Sequence, residues 1–313
     1  MAARNKSSVI SITRVYDAPL KAVWEAWTIP GEVAQWWGPR GFTLTTHSHD
    51  LRTGGHWHYT MHGPDGTDYE NTTQYLEVVP GQRMVYDHGG HRDRPPLFRV
   101  TALFTERNGR TQLDMSMTFA TPEIAEQTRG FIRKAGGEST WDRLAEHLGG
   151  HAGKEQFFIT RSFDAGIEQV YEMWSDPEHL AQWLPPTGAT MRFLKADPRA
   201  GGTSFYAMTF GDGQTLYGLI RHITFNRPTL LVYSQQFCDE QQRVTRPPFF
   251  KDWPLAMLAT VELTAEGAER TRVMVRWEPQ EASAADIAEF RRQRTGMTAG
   301  WTGSFDKLEA LLG

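Results

Sequence analysis

The feature that most constrains this chain is an internal repeat. Placed under one another, the two halves match at a constant offset of 147 residues as far as Tyr86. Ile12-Thr13-Arg14 answers Ile159-Thr160-Arg161, Val23 and Trp27 answer Val170 and Trp174, and Ala34-Gln35-Trp36 answers Ala181-Gln182-Trp183. The run continues through Gly54-Gly55 and Gly201-Gly202, Tyr59 and Tyr206, Met61 and Met208, and ends at Tyr86 and Tyr233. Beyond it the second copy is longer: the offset is 160 at Thr111 and Thr271, and 164 at Trp141-Asp142 and Phe305-Asp306. The extra residues fall at 237–251 and 279–285, where loops tolerate insertion. A chain of 313 residues has room for two ordinary domains. The repeat therefore predicts two diverged copies of one α+β domain, over 1–150 and 151–313. The glycines of the 147–153 stretch, HLGGHAG, should end a helix and leave a short linker.

Both copies carry the same periodicities. Val9 to Tyr16 and Gln156 to Phe163 read as opening strands. Pro19 to Thr28 and Gly166 to Ser175 read as short helices, each with a Val/Trp pair on one face. Second short helices are expected over Pro30 to Trp36 and Pro177 to Trp183. A meander of strands follows; in its last member Leu113, Met115, Met117 and Phe119 alternate with polar residues, the mark of a half-buried strand. Each copy should close with one long helix, Pro122 to Leu148 and Ala284 to Leu312, the first loosened at Gly136-Gly137. A curved antiparallel sheet wrapped around such a helix leaves a pocket wherever the helix does not fill the concavity.

Composition narrows the function classes. A net charge of -4 gives no electrostatic case for nucleic acid. No apolar run approaches a membrane span, and the first residues lack the apolar core of a secretory leader, so a cytoplasmic protein without a membrane partner is expected. Cys238 is the single cysteine; it fits a reducing compartment and reads as a passive strand thiol.

The ordered pieces Ile12-Thr13-Arg14, Asp17-Ala18-Pro19, Trp36-Trp37-Gly38-Pro39, Asp50 to Trp57, Met61 to Gly66, and Tyr75 to Pro80 form a recognisable pattern. It resembles the START-like, or Bet v 1-like (SRPBCC), superfamily, and within it the family of the Hsp90 ATPase activator homologue domain. The resemblance covers nearly all of residues 8–148 and implies the helix-grip fold. The second copy is the weaker match: it has Leu184-Pro185 in place of Trp37-Gly38 and Phe225-Asn226-Arg227 in place of Val78-Val79-Pro80. Members of the superfamily bind small apolar ligands or a chaperone partner. The eukaryotic cochaperone has a separate amino-terminal domain where this chain has a second sheet-and-helix unit, which argues against a chaperone role.

The resemblance and the periodicity together point to ligand-pocket candidates. Trp57, Tyr59 and Met61 share one strand face, as do Ser204, Tyr206 and Met208; with Trp37, Met115, Met117, Phe131 and Trp141 they either line a cavity or complete the core. His222, opposite Tyr75 across the repeat, is the candidate acid-base group of the second copy. Seven histidines fall between His47 and His91; His47/His49 and His56/His58 read as two same-face pairs, a metal site if their strands adjoin and otherwise surface or core histidines. No nucleophile elbow, phosphate loop, dinucleotide fingerprint or HExxH spacing occurs. The sequence thus predicts no catalytic residue, no cofactor and no resident metal. It predicts binding of a small hydrophobic or amphipathic molecule, in the first copy before the second. A cyclase-, dehydratase- or hydrolase-like enzyme and a protein-interaction module are the alternatives.

Overall fold

The computed structural model describes residues 7–89, 95–134 and 139–313, without the side chains of residues 131, 133 and 134. The chain forms two compact units that divide between Gly153 and Lys154.

The first unit opens with β1 (Val9–Tyr16), α1 (Leu20–Thr28) and α2 (Pro30–Trp36). Six strands follow: β2 (Thr43–His49), β3 (His56–His62), β4 (Asp68–Val79), β5 (Arg83–His88), β6 (Phe98–Arg107) and β7 (Arg110–Thr118). It closes with α3 (Pro122–Lys134) and α4 (Ser139–His151). The second unit repeats this plan with β8 (Phe157–Phe163), α5 (Ile167–Ser175) and α6 (Pro177–Trp183). Its meander is β9 (Thr190–Lys195), β10 (Thr203–Thr209), β11 (Thr215–Asn226), β12 (Leu230–Cys238), β13 (Ala256–Gly267) and β14 (Arg270–Gln280), and it ends in α7 (Ala284–Arg292) and α8 (Arg294–Leu312). Each unit is one seven-stranded antiparallel sheet, in the orders β1-β7-β6-β5-β4-β3-β2 and β8-β14-β13-β12-β11-β10-β9. These are tandem α+β helix-grip, START-like domains.

Local chemistry explains the shared frame. Pro30 and Pro177 occupy the first turns of α2 and α6, where a missing N–H is harmless. Asp176 caps α6 by accepting from the amides of Glu178 and His179. Gly55 and Gly202 lie so close to the carbonyls of Asp50 and Asp197 that an added Cβ would sit 2.2 and 2.1 Å from them. Only glycine permits that turn between the second and third strands of each sheet.

The cores are indole-rich and sit between sheet and helices. In the first unit Trp27 stacks on Trp141 at 5.8 Å, and the Trp36 indole donates to Ala26 O at 2.9 Å. In the second, Trp174 stacks on Trp301 at 5.9 Å and Trp183 donates to Met173 O at 2.8 Å. On β7, Leu113, Met115 and Met117 are buried while Gln112, Asp114 and Ser116 are half-exposed, as their alternation predicts.

The single closing helix of the second unit is a correction: α7 and α8 meet at Gln293, whose amide turns back onto Glu289 O and Arg291 O. Residues 135–138, with the proposed loosening at Gly136-Gly137, lie outside the described residues. Of the predicted linker glycines, Gly149 and Gly150 belong to α4, which runs to His151, while Gly153 follows its end at φ 72°. No helix is long and apolar enough to cross a membrane among the described residues.

Candidate functional site

A partly enclosed cavity of about 30 Å³ lies in the second unit, between the inner face of its sheet and α5–α6. Trp174, Leu180, Leu184, Phe193, Ile220, Leu231 and Tyr233 form its apolar walls, and Ser204, His222 and Gln235 its polar corner. The volume accommodates about two water molecules by the usual measure, so a larger guest must move a wall.

The polar corner is built by the turn that Gly202 permits. The Asp197 amide donates to Ser204 Oγ at 3.1 Å, and His222 Nε2 lies 2.9 Å from the same oxygen, donating or accepting according to the imidazole tautomer. His222 is held in the sheet by Gly201 N→His222 O at 2.8 Å and His222 N→Gly202 O at 3.0 Å. Burial lowers the His222 pKa against the opposing pull of Asp197, so the imidazole is neutral at pH 7.

A second polar contact borders the first. Gln235 Nε2 donates to the Tyr206 hydroxyl at 2.9 Å, and burial pushes that phenol up to about 12. Tyr206 takes this position because Gly218 faces it across the β10–β11 pair; a Cβ there would lie 2.2 Å from Cζ of the ring.

The first unit places aromatic side chains at the corresponding positions. By the 147-residue offset, Trp57 replaces Ser204 and Trp37 replaces Leu184. The sheet register agrees, Trp57 pairing with Thr73 as Ser204 pairs with Ile220. Trp57 stacks on Tyr59 at 3.9 Å, meets Trp37 at 5.4 Å and donates to Thr46 Oγ1 at 3.1 Å. His49 Nε2 and the Tyr75 hydroxyl, 3.0 Å apart, stand beside them. The hydroxyls of Tyr59 and Thr73 are buried without a well-formed hydrogen bond. Trp37 and Thr73 lie near enough to ease ionisation of the Tyr59 phenol, but desolvation dominates and raises its pKa.

Of the residues read from the sequence as cavity candidates, His222 and Ser204 line this cavity. Tyr206 touches it through Gln235, while Met208 packs with Met191, Tyr206 and Ile220. Trp37, Trp57, Tyr59, Met61, Met115, Met117 and Trp141 belong to the core of the first unit or pack against it. The Phe131 side chain lies outside the described residues. Ser204 was grouped with Tyr206 on the sequence but not singled out; its smallness opposite Trp57 in the repeat was the available signal. Gln235, Phe193 and Leu184 carried none of their own.

The histidines do not converge as their spacing suggested. A bulge between Thr46 and Ser48 in β2 breaks the alternation. His49 therefore meets Trp57 and Tyr75, whereas His47 meets His58 and Thr60. His58 pairs with Glu70 at 2.8 Å and His62 with Asp68 at 2.6 Å, each with its own acid. His88 stacks on Phe98, and His91 lies outside the described residues. Cys238 is buried, and desolvation pushes its thiol up to about 11, which suits a passive role.

A helix-grip sheet with two short helices after its first strand defines the START-like class. The family described as Activator of Hsp90 ATPase homolog 1-like protein matches residues 17–149 and again 164–313, and the chain belongs to it. No curated protein matches the chain. Among solved structures it is similar to protein Ms6760 from Mycobacterium smegmatis, at 23% identity over 50% of this chain and 90% of that one, with a TM-score of 0.43. A protein from Arthrobacter aurescens is similar at 25% identity, 50% and 85% coverage and a TM-score of 0.44. The di-domain ARO/CYC BexL of the BE-7585A biosynthetic pathway spans 97% of this chain and 98% of its own, at 13% identity and a TM-score of 0.38. Proteins of this fold generally bind small molecules between sheet and helix.

Proposed function

We propose that the second unit binds a small amphipathic molecule, its apolar body among Trp174, Leu184, Phe193 and Leu231 and one polar group at Ser204 and His222. The observation that supports this reading is the polar corner at the end of an otherwise apolar, partly enclosed cavity. Buried polar groups fix a guest's orientation while the apolar walls supply most of the affinity. Neutral His222 and the Ser204 hydroxyl suit a carbonyl, hydroxyl or weakly acidic group better than a fixed cation. Entry of a larger guest requires a wall to yield, and Pro177 and Leu180 of α6 are part of that wall.

The Ser204–His222 contact also has the reach of a nucleophile and its base. That second reading requires a carbonyl carbon to approach Ser204 Oγ, one lone pair of which already accepts from the Asp197 amide.

Titration of the full chain with anilinonaphthalene sulfonate, followed by probe fluorescence, tests the binding reading. Saturable binding that Ser204→Trp abolishes and Trp57→Phe leaves intact is the expected result. Binding unchanged in Ser204→Trp would sink the proposal. Covalent capture of Ser204 by a fluorophosphonate would move the enzyme reading ahead of it.

A further inference from the structure

The last turn of α4 carries two histidines, His147 and His151, four residues apart and so on one face of the helix. Both meet a single carboxylate on α2. Glu32 Oε2 lies 2.8 Å from His147 Nε2 and 3.0 Å from His151 Nε2. The two rings stand edge to face at 4.6 Å, and the three donor atoms all lie within 4.8 Å of one another. We propose that Glu32, His147 and His151 form a binding site for a divalent transition-metal ion of the zinc class.

The donor set fits the chemistry. Two imidazole nitrogens and one carboxylate oxygen suit zinc and its neighbours, at metal–ligand distances of about 2.0–2.2 Å. Such distances put the donors of a tetrahedral ion roughly 3.3 Å apart, a few tenths of an ångström more than the present distances of the two nitrogens from Glu32, with rotation of the two rings about the helix face setting the third separation. An ordinary surface ion pair would use one imidazole. Here two converge on one oxygen.

The scaffold is fixed by contacts that do not involve the three ligands. Arg143, one turn before His147, donates to Gln35 O at 3.0 Å, Gly38 O at 2.8 Å and Pro39 O at 2.9 Å, clamping the end of α2 to α4. Arg40 grips Glu146 with two hydrogen bonds of 2.9 and 2.8 Å, both side chains nearly buried. These pairs hold the ligand-bearing helices in register, the condition under which a metal site gains affinity from preorganisation. The partial negative charge at the carboxyl end of α4 favours a cation at the same place. His151 is 56% exposed, which leaves an approach for the ion and room for water as a further ligand. The second unit does not repeat the site: at the offsets of 147 and 164 it has His179 for Glu32 and Leu311 for His147.

The test is calorimetric titration of the untagged full chain with zinc chloride after chelator treatment and desalting, with cobalt chloride absorption as a second readout. About one equivalent should bind. Glu32→Gln and His151→Ala should each weaken binding about tenfold or more, while His58→Ala on the other histidine-bearing surface leaves it unchanged. Melting curves in chelator confirm that each variant is folded. The proposal is overturned by absence of binding at about 100 μM zinc, by affinity unaltered in both site variants, or by its loss in His58→Ala.

Discussion

The two units share a sheet order, a register and an indole-stacked core, yet treat the space beneath the sheet differently. The first puts Trp57 and Trp37 there; the second puts Ser204 and Leu184 at the matching positions and leaves a cavity. The second unit thus carries less aromatic volume at these positions than the first. The difference extends to the polar groups. Tyr75 and His49 in the first unit give way to His222 and Ala196 in the second, and Asn71 opposite Tyr59 gives way to Gly218 opposite Tyr206. Gly218 lets the Tyr206 ring lie over its own strand neighbour, whereas Tyr59 stacks on Trp57. At these positions the two units differ by a handful of side-chain volumes on a shared sheet order.

The largest test of that contrast is Trp57→Ser, which copies the second unit into the first. It removes a buried indole and should cost about 3–5 kcal/mol of first-unit stability by denaturant titration. Its partial rescue by a small aromatic guest would show that the space can be opened. The reverse change, Ser204→Trp, should cost roughly 1–3 kcal/mol through overpacking and abolish probe binding in the second unit. Gly218→Ala drives the added Cβ into the Tyr206 ring, and about 1–2 kcal/mol should be lost with the Tyr206–Gln235 contact, read by thermal melting.

The smallest effect is a pH dependence. His88, which stands where the second unit has Gln235, has its pKa lowered by burial to about 4 from an ordinary 6.5. Below pH 6.5 the unfolded chain takes up this proton first. Its contribution to stability is therefore complete above that value and is lost as pH falls toward 4. The full shift corresponds to roughly 3 kcal/mol, but the side chain retains some exposed surface and about 1 kcal/mol is expected. Calorimetry of His88→Gln between those pH values should show this part of the slope removed.

Much of the frame was legible because it depends on period and repeat. The alternation in β7 and the Val/Trp faces of α1 and α5 survive any detail of packing, and the repeat doubles each signal. The closing helix of the second unit reads as one piece because the apolar pattern continues across Gln293 while the backbone path does not. The same-face pairing of His47 and His49 failed at one bulged residue, which no period can announce. Trp57 is a residue that could line a pocket or close it, and its own identity does not decide between the two. Its exchange for Ser204 in the repeat does, once both copies are read as one frame. Glu32, His147 and His151 were invisible for another reason. The contact spans more than a hundred residues, and the glycine-rich stretch that holds His151 reads as a linker rather than a helical turn.

The most direct test of the central claim is amide chemical-shift mapping on the nitrogen-labelled full chain during titration with anilinonaphthalene sulfonate. The account predicts shifts concentrated in α6 and β9 to β12, saturating together and absent in Ser204→Trp. Shifts concentrated in β2 to β5, around Trp57 and Tyr59, would contradict it and return the site to the first unit.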